Sequence, residues 1–217
     1  MEPRDLLPRL AGRLLPGVMS FGDSDAVYLT FDDGPDPAFT PRILDILERH
    51  ASRGTFFVTG KVASTHPELT REILSRGHVV GSHDYLHRSL AGISRRGAEM
   101  ELSRAVERLE EIIQREVRLF RPPFGRFNSV VLTMARRLDL TIVLWSLSLA
   151  DWKSPEPAQL AQRFVRRARP GDIVLLHDSG HGTENLLTAL PEMLHHLSGK
   201  GWRTGKVVSP LDQTGTE

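Results

Sequence analysis

Short apolar runs alternate with amphipathic stretches along nearly the whole chain, and this alternation constrains the fold more than any other feature. Runs near Ala26–Phe31, Thr55–Thr59, His78–Ser82, Leu119–Arg121, Thr141–Trp145 and Ile173–Leu176, with a weaker one near Lys206–Val208, have the length and composition of strands. Between them, near Thr40–His50, Pro67–Ser75, Arg95–Arg115, Asn128–Leu138, Pro157–Arg169 and Glu184–Leu197, apolar residues recur every three or four positions, as on the buried face of a helix. Thr40 before Pro41 reads as an N-cap followed by proline in the first turn. Strand and helix in repeated alternation imply an α/β fold of parallel strands covered by helices, as an open sheet or a closed barrel. In both, the loops leaving the C-terminal ends of the strands carry the reactive groups.

The chain of 217 residues fits one domain, residues 26–210, with an N-terminal segment 1–25 packed on it and a short tail 211–217. A formal charge of +1 with both signs interspersed gives no electrostatic basis for binding nucleic acid. There is no cysteine, so a transition-metal site would have to be built from histidine and carboxylate. Leu7, Leu10, Leu14 and Val18 fall at helix-like spacing, but Pro8 and Pro16 are expected to cut that helix short. Glu2, Arg4, Asp5, Arg9 and Arg13 interrupt every candidate apolar core of a signal peptide, and no run approaches a membrane span. A cytoplasmic monomer is the expectation.

Five strand ends hold the groups of interest. The first, in "YLTFDDGPD", stops on Asp32 and Asp33. Neighbours on a strand point to opposite faces, so both carboxylates can address one site only if the backbone curls there, and Gly34 and Pro35 are expected to supply the curl. Taken alone, the stretch reads first as a plain Asp-Gly turn. The second, "GSHDYLH", places His83 and His87 four apart, a spacing that one helical turn converts into a shared metal. Nine histidines make that spacing unremarkable by itself, and His177 and His181 repeat it. The third, "FRPPFG", follows Arg121 with two stiffening prolines, a way to hold a guanidinium against a carboxylate, or an ordinary surface turn. The fourth, "WSLSLADW", offers Asp151 and Trp152, otherwise a helix cap and a half-buried ring. The fifth, "IVLLHDS", brings His177 out of a dry strand, unless it is a satisfied core histidine. Taken together, ligands, a base, an acid and residues to orient them are what a metal-assisted hydrolase needs.

From about Ala26 to Val208 the set resembles the polysaccharide deacetylases of the NodB-homology type, carbohydrate esterase family 4. "TFDDGPD" carries most of that resemblance, "RPPFG" supports it, and "HDYLH", "ADW" and "LLH" complete it in the same order. The resemblance implies a distorted (β/α)7 barrel and hydrolysis of N-acetyl, less often O-acetyl, groups on a glycan containing N-acetylglucosamine. It implies one divalent metal on Asp33, His83 and His87, zinc by default, with cobalt, nickel or manganese as alternatives. Asp32 would be the general base, held by Arg121, and His177 the general acid, oriented by Asp151. Pro123, Phe124, Trp152 and Leu175 would contact substrate, the last two walling an acetate pocket, and a backbone N–H near Phe124 would help stabilise the oxyanion.

The lack of a recognisable signal peptide is the largest departure from the family pattern, because the family's substrates are mostly extracytoplasmic glycans and the cytoplasmic reading runs against that; three positions depart as well. Asp84 stands where Ser or Thr is usual, Phe124 replaces Tyr, and Ser148 occupies a place where many members carry Asp. Two other functions stay open from sequence: hydrolysis of small cyclic amides or ureides, as in allantoinase-like relatives, and glycan binding without turnover. The remaining histidines, His50, His66, His78, His181, His195 and His196, read as structural or surface residues.

Overall fold

Among the described residues nine short strands, all paired in parallel, form a single curled sheet with helices packed on its outer face. In chain order the elements of this computed structural model are α1 (Pro3–Leu14), β1 (Val18–Met19), β2 (Ala26–Asp32), α2 (Thr40–Arg49), β3 (Thr55–Val58), α3 (Gly60–Thr65), α4 (Pro67–Ser75), β4 (Val79–Ser82) and α5 (Arg95–Ile113). Then follow β5 (Leu119–Phe120), α6 (Ser129–Arg137), β6 (Thr141–Val143), β7 (Leu147–Ser148), α7 (Pro157–Arg167), β8 (Ile173–His177), α8 (Thr183–Gly199) and β9 (Arg203–Gly205). The structure describes residues 3–213, so residues 214–217, most of the expected tail, lie outside the described residues, as does the side chain of Leu7.

The strand order is β1-β6-β5-β4-β3-β2-β8-β7, with β9 paired to the start of β2. This is the α/β, distorted (β/α)7 half-barrel that the sequence implies, and β1 and β7 form its two open edges. Helix α1 touches both edge strands and so covers the seam. Among the described residues no helix is long and apolar enough to cross a membrane.

Period-two alternation sorts the side chains into two cores. On β2, Val27, Leu29 and Phe31 face the helices and join the larger cluster with Ile43, Leu47, Phe56, Val174 and Leu176. Ala26 and Tyr28 face the inside of the curl, where Phe57, Leu119, Trp145, Ile173 and Leu175 meet them. The same parity sends Thr30 and Asp32 inward, and the β2–β8 register sets Asp32 beside His177. An apolar floor therefore lies beneath polar strand ends.

Three local expectations are corrected, and two strands are added. The last strand is Arg203–Gly205 rather than Lys206–Val208, because it pairs with Ala26–Tyr28 while Val207 enters the inner core and donates its N–H to Thr55 Oγ1. The two-residue strands β1 and β7 are too short for any periodicity to reveal. Helix α1 continues through Pro8, which is buried at the rim of a cleft, so packing overrides propensity there. Thr40 does not cap α2; Phe39 is the N-cap residue, and the Thr40 hydroxyl bonds to Asp178 instead.

His78 is structural, as expected: it is 3% exposed, its Nδ1 accepts the Gly54 N–H at 3.1 Å, and it packs edge-on to Phe56. Burial, with the charges of Arg53 and Arg76 adding to it, pushes its pKa down to about 4. A histidine with a depressed folded pKa contributes stability that is present above its unfolded value, about 6.5, and lost as pH falls toward the folded value. In urea unfolding, wild type should therefore lose about 2 kcal/mol relative to His78→Asn between pH 7 and pH 4.5. A pH-independent difference would contradict this assignment.

Candidate active site

Five strand ends converge on one cleft of about 770 Å³, which contains Asp32, Asp33, His83, His87, Asp151 and His177 in its wall. Arg121 lies beneath it, fully buried. Its Nη1 donates to both Thr30 Oγ1 and Asp32 Oδ1 at 2.7 Å, Nε to the Val143 carbonyl and Nη2 to the Leu144 carbonyl, both at 3.1 Å. The Phe57 ring packs 4.1 Å from the guanidinium carbon. Because Thr30 and Asp32 are two apart on one strand face, a single nitrogen can grip both. Asp32 Oδ2 is left on the cleft side, 3.8 Å from His83 Nε2.

Asp33 reaches the same cleft by a different route. It takes up a left-handed backbone conformation, φ 77°, uncommon for a residue with a Cβ, and this turn re-aims its side chain. The curl expected of Gly34 and Pro35 thus starts at Asp33 itself. Gly34 is needed for a close approach instead, since a Cβ there would lie 2.2 Å from Asp178 Oδ2. His83 and His87 do not sit on a helix. Asp84 and His87, with φ 68° and 56°, bend the loop so that the two rings meet with centroids 4.9 Å apart. The Asp84 carboxylate is buried and accepts the Arg88 N–H at 3.1 Å, so this departure from the family pattern braces the loop.

One ligand atom from each of Asp33, His83 and His87 lies within 4.8 Å of the others. His83 Nδ1 donates to the Arg121 carbonyl at 2.7 Å, which leaves the Nε2 lone pair facing Asp33 Oδ1 at 3.4 Å. His87 Nε2 is 3.1 Å from the same oxygen. Among the described residues that oxygen is buried without a hydrogen-bond partner. A buried carboxylate oxygen and imidazole lone pairs turned toward one another are a donor set that a cation satisfies, so the residues fit a divalent metal. Burial opposes ionisation of Asp33, but the contact and charge of His83, then the charges of His177 and His87, lower it to about 2.

Opposite Asp32, His177 is fixed by Asp151. Its backbone N–H donates to Asp151 Oδ2 at 2.8 Å and its Nδ1 lies 3.1 Å from Asp151 Oδ1, so Nε2 is directed to the cleft. Burial disfavours the charged ring, but Asp151, in contact, and the more distant Asp32 and Asp33 raise its pKa to about 9. Trp152 packs edge-on to His177 and Phe124 edge-on to His87; both rings are substantially exposed, 39% and 61%. Leu175 also lines the cleft, whereas Pro123 is buried and does not line it. His181, read from sequence as a structural or surface residue, stands exposed at the rim. Sequence reasoning missed Thr30, which strand parity relative to Asp32 would have exposed, and Asp178, whose only signal is its place after His177.

A parallel half-barrel with a carboxylate–histidine triad, a braced carboxylate and a braced histidine at its strand ends has the form of a hydrolase. The comparisons with known proteins agree. The profile described as "Polysaccharide deacetylase" matches residues 22–143. The chitooligosaccharide deacetylase of Azorhizobium caulinodans is 36% identical over 157 residues, covering 72% of this chain and 75% of that one. A peptidoglycan-N-acetylglucosamine deacetylase of Bacillus cereus is 35% identical over 179 residues, covering 82% and 84%. A solved peptidoglycan N-acetylglucosamine deacetylase superposes with a TM-score of 0.85 at 31% identity over 88% of this chain and 91% of that one. A carbohydrate esterase family 4 pseudoenzyme from Bacillus anthracis does so with 0.83 at 30% identity over 89% and 68%. The chain belongs to the polysaccharide deacetylase family.

The Asp151 contact makes a direct prediction. In Asp151→Asn the His177 pKa should fall from about 9 by more than about 1 unit, followed by NMR titration of the imidazole. An unchanged titration would show that Asp151 does not support the charged ring.

Proposed function

We propose that this chain is a metal-dependent deacetylase that hydrolyses N-acetyl groups on an amino-sugar glycan containing N-acetylglucosamine, releasing acetate and leaving a free amine. It is thus a hydrolase of carbon–nitrogen bonds other than peptide bonds. The observation that carries the reading is the register of β2 and β8, which sets Asp32 and His177 side by side next to the Asp33, His83 and His87 donors.

In this reading Asp33, His83 and His87 hold the cation, with zinc the first choice for the donor set. A bound divalent cation supplies Lewis acidity toward a carbonyl oxygen and lowers the pKa of water. Asp32 Oδ2, free because Arg121 holds Oδ1, takes the proton of the attacking water as its oxygen bonds to the acetyl carbon. His177, protonated up to about pH 9, gives the proton from Nε2 to the amine nitrogen as the carbon–nitrogen bond breaks. A backbone N–H at Phe124 would bond the developing oxyanion, and Trp152 and Leu175 would enclose the methyl group.

The pseudoenzyme among the structural neighbours supports a second reading, glycan binding without turnover. Every position assigned a polar role is filled here, which favours activity. Hydrolysis of small cyclic amides has no observation in its favour.

Acetate release from N-acetylglucosamine oligomers tests the assignment. Asp32→Asn should keep its zinc and lose about 10²–10⁴-fold in turnover, the range for general base catalysis. His83→Ala and His87→Ala should lose zinc affinity as well, measured by metal analysis after dialysis. Full turnover in Asp32→Asn would overturn the base assignment, and saturable glycan binding without acetate release by wild type under several divalent metals would favour the second reading.

A further inference from the structure

Asp178 is completely buried at the end of β8, yet it is not among the residues lining the cleft. Strand parity turns it to the face opposite His177. There Oδ1 accepts the Gly34 N–H at 3.0 Å and Oδ2 accepts the Thr40 hydroxyl at 2.6 Å. The Thr40 oxygen in turn accepts the Asp36 N–H at 2.8 Å, and the Asp178 N–H donates to the Asp32 carbonyl at 3.2 Å. The Gly34 carbonyl accepts the Thr59 N–H at 3.1 Å. The stretch from Asp32 to Asp36 is therefore pinned on both sides of Asp33.

That pinning has a purpose in the geometry of Asp33. A non-glycine residue held at φ 77° is strained and persists only where its surroundings over-determine it. Burying a carboxylate is itself costly, and an apolar side chain at position 178 would avoid that cost while leaving the Gly34 N–H without an acceptor. A group that hydrogen-bonds in two directions is what the loop requires. Burial, with the charge of Asp33 adding to it, raises the Asp178 pKa to about 7, so an amide resembles its protonated form.

We propose that Asp178 is a positioning residue for Asp33: by clamping Gly34 and Thr40 it fixes the left-handed turn that aims the Asp33 carboxylate at His83 and His87. This rests on reading those three residues as metal ligands, and it assigns Asp178 no contact with substrate.

The test measures zinc affinity of the full chain by chelator competition, with the visible spectrum of bound cobalt reporting ligand geometry and circular dichroism reporting folding. Asp178→Ala should weaken zinc binding by about 10–100-fold, as loss of an outer-shell partner does. Asp178→Asn, which can accept from Gly34 and donate to Thr40, should restore most of it. Gly34→Ala should act like Asp178→Ala, and the double variant Gly34→Ala with Asp178→Ala should be no worse than the weaker single, because both disturb one contact. A folded Asp178→Ala with wild-type zinc affinity and cobalt spectrum would overturn the proposal, as would additive losses in the double variant. If Asp178→Ala does not fold, Asp178→Asn and Gly34→Ala decide: strong binding in the first and weak in the second supports the clamp, and equal affinities reject it. Wild type that binds no zinc would remove the ligand reading itself and this proposal with it.

Discussion

The Arg121 guanidinium is taken wholly out of water and compensated by four hydrogen bonds and a ring face, and the geometry of the site follows from that one placement. Its side chain ties the end of β5 to carbonyls leaving β6 and to two residues of β2. Its own carbonyl fixes the His83 tautomer. One residue thereby orients a candidate base and a candidate ligand on different strands. Removing one partner of such a buried pair costs about 3–5 kcal/mol, because the other charge is left unpaired. The fold and the candidate chemistry are therefore not separable at this position.

Around that anchor, adjacent residues are given different tasks by backbone geometry. Asp32 keeps strand conformation and is held inward. Asp33 leaves the strand through a left-handed turn and faces the histidines. His177 and Asp178 repeat the division on β8, one side chain entering the cleft and the other bracing the neighbouring loop. Of the nine left-handed non-glycine residues among those described, Asp33, Asp84, His87, Phe124 and Ala150 lie at this end of the sheet, whereas Ala51, Gln114 and Asp139 follow the ends of α2, α5 and α6. Such conformations concentrate where packing holds functional groups in a fixed aim.

Much of this was legible in the sequence for a physical reason. The strand and helix periods are imposed by burial on each side of the sheet, so they survive in the order of residues, and strand ends mark where polar groups must emerge. Asp32, Asp33, Arg121 and His177 could all be placed at strand ends in this way. What was not legible depends on contacts distant in the chain. Thr40 has the composition of an N-cap, but its hydroxyl is claimed by Asp178, 138 positions away. The four-residue spacing of His83 and His87 suggests a helical turn, whereas two left-handed residues bring them together in a loop. The strands β1 and β7 are recognisable only by their neighbours β6 and β8.

The central claim is that Asp33, His83 and His87 share one cation beside Asp32 and His177. Anomalous diffraction at the zinc edge from zinc-equilibrated crystals of the chain tests it most directly. The account requires a single strong peak in the cleft about 2.0–2.2 Å from an Asp33 oxygen and from the Nε2 atoms of His83 and His87. A peak bound elsewhere, or none at saturating zinc, would contradict it.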